Sequence, residues 1–305
     1  MMLKIKWMIN KNNNIMQDLF TSAEDEVDIS AKGTDTITEK SFTFIPLASG
    51  SSGNCYFLQS PKMTLLIDAG IGPRIIKKRL KLAGHNLEEV QGVLVTHDHA
   101  DHIKGLGYLG EKLNIPIYAT EICHDGINRS YCMTQRLTTS AHIITKDCSF
   151  ELGDMTVTPF DVPHDSSDNV GYRIELGRKV FCLATDIGAV TDVISHQVTQ
   201  AQYLVIEANY DEDMLDRGPY PAHLKQRIKG GKGHLSNNKC ADLLSKQSNP
   251  LLKHVWLCHL SQDNNHPMLA KKTIEQGLLA AGRLVNEEVL IDVLKRQAIS
   301  GVFKL

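Results

Sequence analysis

The stretch LVTHDHADHIKG, residues 94–105, limits more than any other what this chain can become. Directly after the apolar run VQGVLV, three histidines and two aspartates fall between His97 and His102. Burying those groups together without a cation would leave a costly unpaired polar cluster, so the H-x-H-x-D-H spacing predicts metal binding. His97 and His99 are two residues apart, and on an irregular loop leaving a strand both rings can converge on one ion. Asp101 and His102 follow where the next helix would begin and can turn toward a neighbouring point. One loop can therefore serve two metal sites about 3.5–4 Å apart.

One loop cannot complete two sites. DVPHDSSDNVGY places His164 just after a strand, and LATDIG places Asp186 at the end of KVFCLATD, where a carboxylate can bridge two ions. WLCHLSQ places His259 at the end of another strand. Each alone reads as an ordinary hydrogen-bonding residue; together they form a set. His97, His99 and His164 serve one ion, Asp101, His102 and His259 the other, with Asp186 between them. Five histidines and two aspartates suit two divalent ions, and the ligand types fit zinc, manganese or iron alike.

The rest of the chain reads as α/β. Residues 1–41 are polar, patchily acidic and weakly periodic, which predicts a loosely ordered extension within which Met16 is a candidate start. From Phe42 onward, short apolar runs (FTFIPLA, CYFLQ, TLLID, VQGVLVT, IPIYAT) read as strands separated by turns. SFELGDMTVTPFDVP, GYRIEL, KVFCLATD and YLVIEAN give four more, HVWLCHLS another, and EVLIDVL with SGVFKL a closing pair. GPRIIKKRLKLAG, KGLGYLGEKLN, NNKCADLLSKQ and PMLAKKTIEQGLLAAG read as helices. Residues 42–305 are thus expected to form a single α/β domain of sheets covered by helices.

With these motifs in place, the chain resembles the metallo-β-lactamase superfamily, which implies an αββα sandwich of two mixed sheets with helices on the outer faces. More narrowly, LASGSSGNCY, LLIDAG, VTHDHADHIKGL, LATDIG, IEANYDEDML, YPAHLKQRI, GHLSN and HLSQDNN are similar to the bacterial YycJ/WalJ (VicX) family. That resemblance implies a metal-dependent DNA exonuclease of the phosphodiesterase branch. His102 stands where typical zinc β-lactamases carry Arg, and His99 where flavo-diiron relatives carry Glu. The interval from Asp186 to His259 is too short for the extra domain of β-CASP nucleases.

Two divalent ions give hydrolysis, with a bridging hydroxide attacking phosphorus, but do not choose the substrate. The segment RGPYPAHLKQRIKGGKGHLSNNKCA, residues 217–241, has no acidic residue and carries Arg217, Lys225, Arg227, Lys229, Lys232 and Lys239. In a chain of net charge -2 it is a local cationic stretch suited to phosphate oxygens. His234 within it is spare to the ligand set, and by resemblance it would bind the scissile phosphate or protonate the leaving oxygen. Asp101 is also a candidate proton acceptor. Asp68 in LLIDAG is expected to orient the histidine loop through hydrogen bonds behind the ligands. Ser236 reads as a helix cap or a substrate contact, and Asn209 with Tyr210 as groove-lining residues. The turn SGSSGN, residues 49–54, reads equally as a hairpin or an anion site.

The expectation is a phosphodiesterase acting on nucleic acid, most simply a DNA exonuclease with a repair or housekeeping role. The alternatives are a hydrolase of a small cyclic phosphate, thioester or lactone, or a regulatory partner-binding protein with a structural metal centre. No apolar run is long enough to span a membrane, and seven scattered cysteines without a C-x-x-C pair suit a reducing compartment, so a cytoplasmic location is expected.

Overall fold

The computed structural model describes residues 41–246 and 249–305, so the expected extension over residues 1–41 falls almost wholly outside the described residues. Fourteen strands among the described residues form two seven-stranded sheets. In chain order the first holds β1 (Thr43–Ala48), β2 (Cys55–Gln59), β3 (Thr64–Ile67), β4 (Gly92–Leu94), β5 (Ile117–Ala119) and β6 (Ala141–Ile143). The second holds β7 (Phe150–Leu152), β8 (Met155–Asp161), β9 (Val170–Leu176), β10 (Lys179–Ala184), β11 (Tyr203–Glu207), β12 (His254–Cys258) and β13 (Leu290–Val293). The last strand, β14 (Phe303–Lys304), returns to the first sheet beside β1.

Alternation along the strands builds the layers. Phe44, Tyr56, Leu58, Leu65 and Ile67 of the first sheet meet Tyr172, Ile174, Phe181, Val205 and Trp256 of the second in one buried cluster. Their chain neighbours, such as Ile45, Phe57, Leu66 and Val93, face a second apolar cluster with Ile76, Leu80 and Leu109. Leu204, Ile206, Val255 and Leu257 do the same on the other side against Leu243, Ile274 and Leu278. A strand buried on both faces needs no polar alternation, which is why these runs are almost wholly apolar. Phe44 anchors the middle layer, with its ring 4.9 Å from Trp256 and 5.0 Å from Phe181.

The outer layers are helical. Over the first sheet lie α1 (Pro73–Leu82), α2 (Ala100–Ile103), α3 (Leu106–Leu113) and α4 (Glu121–Arg129). With the second sheet belong α5 (Asp192–Gln200), α6 (Glu212–Arg217), α7 (Ala222–Lys229), α8 (Asn237–Lys246) and α9 (Pro267–Ala280). This is the αββα sandwich, with β3 to β6 parallel in one sheet and β10 to β13 parallel in the other.

Three readings change in the structure. SFELGDMTVTPFDVP is a hairpin, since Gly153 adopts φ 64 and turns β7 back onto β8. The closing strands β13 and β14 do not pair with each other but finish opposite sheets. The helices α4, α5, α6 and α7 have short or mixed apolar patterns that gave no periodic signal, and α7 buries no residue at all.

Candidate metal centre

Every proposed ligand lies just beyond the carboxyl end of a strand. His97, His99, Asp101 and His102 follow β4, His164 follows β8, Asp186 follows β10 and His259 follows β12. Strand ends of α/β sheets gather ligand-binding loops because the strands deliver the chain to one rim. His97, His99 and His164 each offer a nitrogen within 4.8 Å of the others, as do Asp101, His102 and His259 with their own ligand atoms. His97, His102 and Asp186 form a further such group that joins the two.

The hydrogen bonds fix which atom each side chain offers. His102 donates from Nδ1 to Asp68 at 2.7 Å, which leaves Nε2 facing Asp101 Oδ2 at 3.5 Å and Asp186 Oδ2 at 3.4 Å. His259 donates from Nδ1 to Glu207 at 3.0 Å and turns Nε2 to 3.4 Å from Asp101 Oδ2. His164 spends Nδ1 on the Gly233 carbonyl at 2.9 Å and holds Nε2 at 3.3 Å from His99 Nδ1. His97 Nε2 is fully buried and has no hydrogen-bond partner. A buried orphan nitrogen facing other lone pairs fits a cation and fits little else. The residues present therefore suit the divalent ions that the spacing implied.

Asp68 lies behind the histidine loop. Besides His102 it accepts the Thr96 backbone N–H at 2.8 Å and the Thr96 hydroxyl, all with no exposed surface. Gly70, two residues on, is required by contact, because a Cβ there would lie 1.6 Å from the Asp101 carbonyl oxygen. The 49–54 turn braces the centre, and its Ser51 lines the pocket above it. Its Asn54 carboxamide binds the Gly50 N–H, and its Nδ2 lies 3.3 Å from Asp101 Oδ2 and 2.9 Å from His102 Nε2.

Charge follows this wiring. Burial opposes a proton on His102, but Asp68, Asp101 and Asp186 outweigh it and raise the imidazole to about 10. His97 moves the other way, far below its ordinary value, through burial and the His102 charge. A ring stripped of its proton is the form a metal takes. His234 is raised despite burial because Glu207 faces it, and Glu207 is lowered despite burial, chiefly by His234.

Glu207 is the residue that sequence reasoning passed over. It is fully buried at the end of β11 and receives four donors. The backbone N–H groups of Ile187 and Leu235 reach one oxygen at 2.7 and 2.9 Å. His234 Nδ1 at 2.8 Å and His259 Nδ1 at 3.0 Å reach the other. The signal was present, an acid closing the apolar strand YLVIE, but the ligand set already looked complete without it. Asp165 was also missed. Its carboxylate lies 3.3 Å from His164 Nε2 and accepts from Arg227 Nε at 2.5 Å.

A pocket of about 270 Å³ opens over these groups, lined by Asp101, Asp186, Asn209, Arg227, His234 and His259 among others. Of the expected substrate contacts, the structure brings Asn209 and Arg227 to its wall. It does not bring the others there. Lys225 Nζ caps the end of α6 by donating to the Asp216 and Gly218 carbonyls, each at 2.8 Å. Ser236 is buried as the cap of α8, accepting from Lys239 N at 3.2 Å and donating to Glu212 at 2.8 Å. Lys232 lies exposed beyond that wall, and Tyr210 is buried.

Comparison with known proteins agrees with this architecture. Residues 63–259 match the sequence profile described as the beta-lactamase superfamily domain. The chain is 35% identical over 244 residues to the exodeoxyribonuclease YycJ of Bacillus anthracis, covering 80% of this chain and 92% of that one. It is also 35% identical over 245 residues to the exodeoxyribonuclease WalJ of Streptococcus pneumoniae serotype 2, covering 80% and 91%. The solved metallo-β-lactamase-fold protein YhfI of Bacillus subtilis superposes with a TM-score of 0.61 at 17% identity, over 87% of this chain and all of that one. The profile, the identity with YycJ and WalJ and the two-sheet sandwich lead to one assignment: the chain belongs to the β-lactamase superfamily and, within it, to the YycJ/WalJ family.

Proposed function

We propose that this metal-dependent hydrolase is a dinuclear phosphodiesterase acting on nucleic acid, and specifically an exonuclease of DNA. The observation that carries the reading is His234. It is not among the seven ligands read from the sequence, though it also groups with Asp186, Glu207 and His259; it lines the same pocket and has its Nδ1 held by the buried Glu207. A histidine so fixed presents Nε2 to a substrate and is suited to give a proton to a departing oxygen. Glu207 stabilises the charged ring while that proton is held.

Two divalent ions held by His97, His99, Asp101, His102, His164, Asp186 and His259 would supply Lewis acidity, activation of water and neutralisation of phosphate charge. Around them the chain itself positions the substrate. Arg227 offers a guanidinium at the pocket wall, Asn209 fixes the His259 loop by donating to its carbonyl at 2.7 Å, and Asp101, a carboxylate on that wall, serves as proton acceptor in this reading. The names of the curated relatives support DNA as the substrate, and 35% identity over nearly their whole length supports carrying it here.

The compact pocket, walled on one side by Leu224, Arg227 and Ile228 of α7, suits a strand end better than a strand passing through. It also favours a second reading, hydrolysis of a small phosphodiester. A gel assay on linear DNA labelled at either end separates them, using metal-stripped protein restored with zinc or manganese. Shortening from one end, lost in His97→Ala and His234→Ala, is the expected result. Intact DNA from protein that still takes up two ions would overturn the nuclease and leave the small substrate.

A further inference from the structure

Behind the segment that carries His234, the surface opens a second concavity of about 390 Å³. Its wall includes Gly188, Lys229, Gly231, Lys239, Leu243 and Lys246. The partition between this groove and the metal pocket is thin. It consists of the backbone after Asp186 pressed against the backbone before His234, so tightly that a Cβ on Gly188 would lie 2.4 Å from Lys232 Cα. Gly188 N also donates to the Pro163 carbonyl at 2.7 Å, which ties the partition to the His164 loop. The groove is therefore built from the outer side of the same loops whose inner side holds the ligands.

Its charge is one-sided. Lys229, Lys239 and Lys246 surround it, and Lys232 sits on the partition. Asp242 is the one acid in the lining, and its contact with Lys246 is a solvent-exposed pair at 3.6 Å. Lys229 pairs with Asp216, while Lys232 and Lys239 make no ion pair among the described residues. Exposed pairs of this kind exchange partners at little cost. Ala189, Val190 and Leu243 give the groove an apolar floor with no aromatic platform for stacking and no fixed amide for reading bases. Flexible ammonium groups without base-reading side chains match a phosphate backbone and no particular sequence.

We propose that this lysine groove is a second substrate subsite, which binds backbone phosphates of the strand beyond the scissile bond. The inference rests on the nucleic-acid reading above and extends it, because it makes affinity depend on strand length. A dinucleotide fills the metal pocket alone; a longer strand crosses the Gly231–Gly233 partition and gains the lysines.

The test uses the full chain with its metals and the double variant Lys239→Gln/Lys246→Gln, which changes two exposed side chains remote from the ligands. Two substrates are compared, a dinucleotide and a single strand of about 16 nucleotides, a length at the upper end of common single-strand site sizes. The variant is expected to cleave the dinucleotide as the wild type does. On the longer strand its KM should rise about tenfold at unchanged kcat, and the slope of log affinity against log salt should fall by about 1.4, about 0.7 for each contact. An unchanged KM and salt slope on the long strand overturns the subsite, as does an equal loss on both substrates. Failure of the underlying reading shows separately, since the wild type would then leave the longer strand intact, whether or not it cleaves the dinucleotide.

Discussion

Asp68, Asp186 and His259 each leave a strand with positive φ, at 59°, 55° and 52°. Left-handed backbone at a non-glycine residue costs of order 1–3 kcal/mol, and three instances at one centre show local strain held by the surrounding fold. Here the strain turns the side chain off the strand direction and onto the metal rim. At the same scale, Glu207 unites two tasks, orienting the candidate ligand His259 and holding His234. Glu207→Gln keeps the shape but loses the charge and must offer an amide to donors. Its hydrolytic rate is expected to fall by roughly 10²-fold, with weaker retention of one metal, read by steady-state kinetics beside metal analysis. Unchanged kinetics would remove Glu207 from the mechanism. The sequence makes the seven candidate ligands legible because histidine and aspartate types at strand ends carry their own chemistry. Glu207 was obscured because a carboxylate that accepts from histidines has no spacing rule of its own.

At the scale of elements, α7 is the least anchored helix near the centre. It buries no residue, and Arg227 ties it to Asp165 through an exposed ion pair. Arg227→Ala is expected to leave thermal stability within about 1 kcal/mol, since exposed pairs contribute little. The KM for DNA should rise roughly tenfold through loss of a charged hydrogen bond. A stability loss with unchanged KM would make the pair structural. Far from the site, Glu111 of α3 closes the 138–140 turn by accepting the backbone N–H groups of Thr138 at 2.8 Å, Thr139 at 3.1 Å and Ser140 at 3.2 Å. Those donors, led by Thr138, lower its carboxyl from 4.5 to about 2. The folded value lies below the unfolded one, so this stabilisation is full above pH 4.5 and is lost as pH falls toward 2. Glu111→Gln should lower Tm at pH 7, and the gap to wild type should narrow once pH drops below about 4.5. A gap constant with pH would show that charge is not what holds the turn. The strands were easy to read because they are nearly all apolar. Helices such as α6 and α7 were not, because a helix that buries one residue or none leaves no periodic stripe.

At the scale of the sandwich, the described residues fill three apolar clusters, and the buried carboxylates Asp68, Asp186 and Glu207 gather at the rim of the candidate metal centre. Removing divalent ions with a chelator should destabilise the fold, since ions bound to the native state alone add about 2.7 kcal/mol at a hundredfold over their dissociation constant. For a chain of this size that is roughly 4–5 °C in Tm, restored on adding zinc or manganese. No change on chelation would mean that these groups hold no ion. The layer order followed from the sequence, but the pairing of β14 with β1 did not, because a two-residue strand carries too little pattern to choose its sheet. Assembly has a timetable as a result. The first sheet contributes the cluster from His97 to His102, while His164, Asp186 and His259 all come from the second. A growing polypeptide that has emerged only as far as β10 already carries the group of His97, His99 and His164, whereas the group of Asp101, His102 and His259 waits until His259 is out. The full candidate set is thus assembled only near the end of synthesis, and a truncated product from an interrupted ribosome would leave without it.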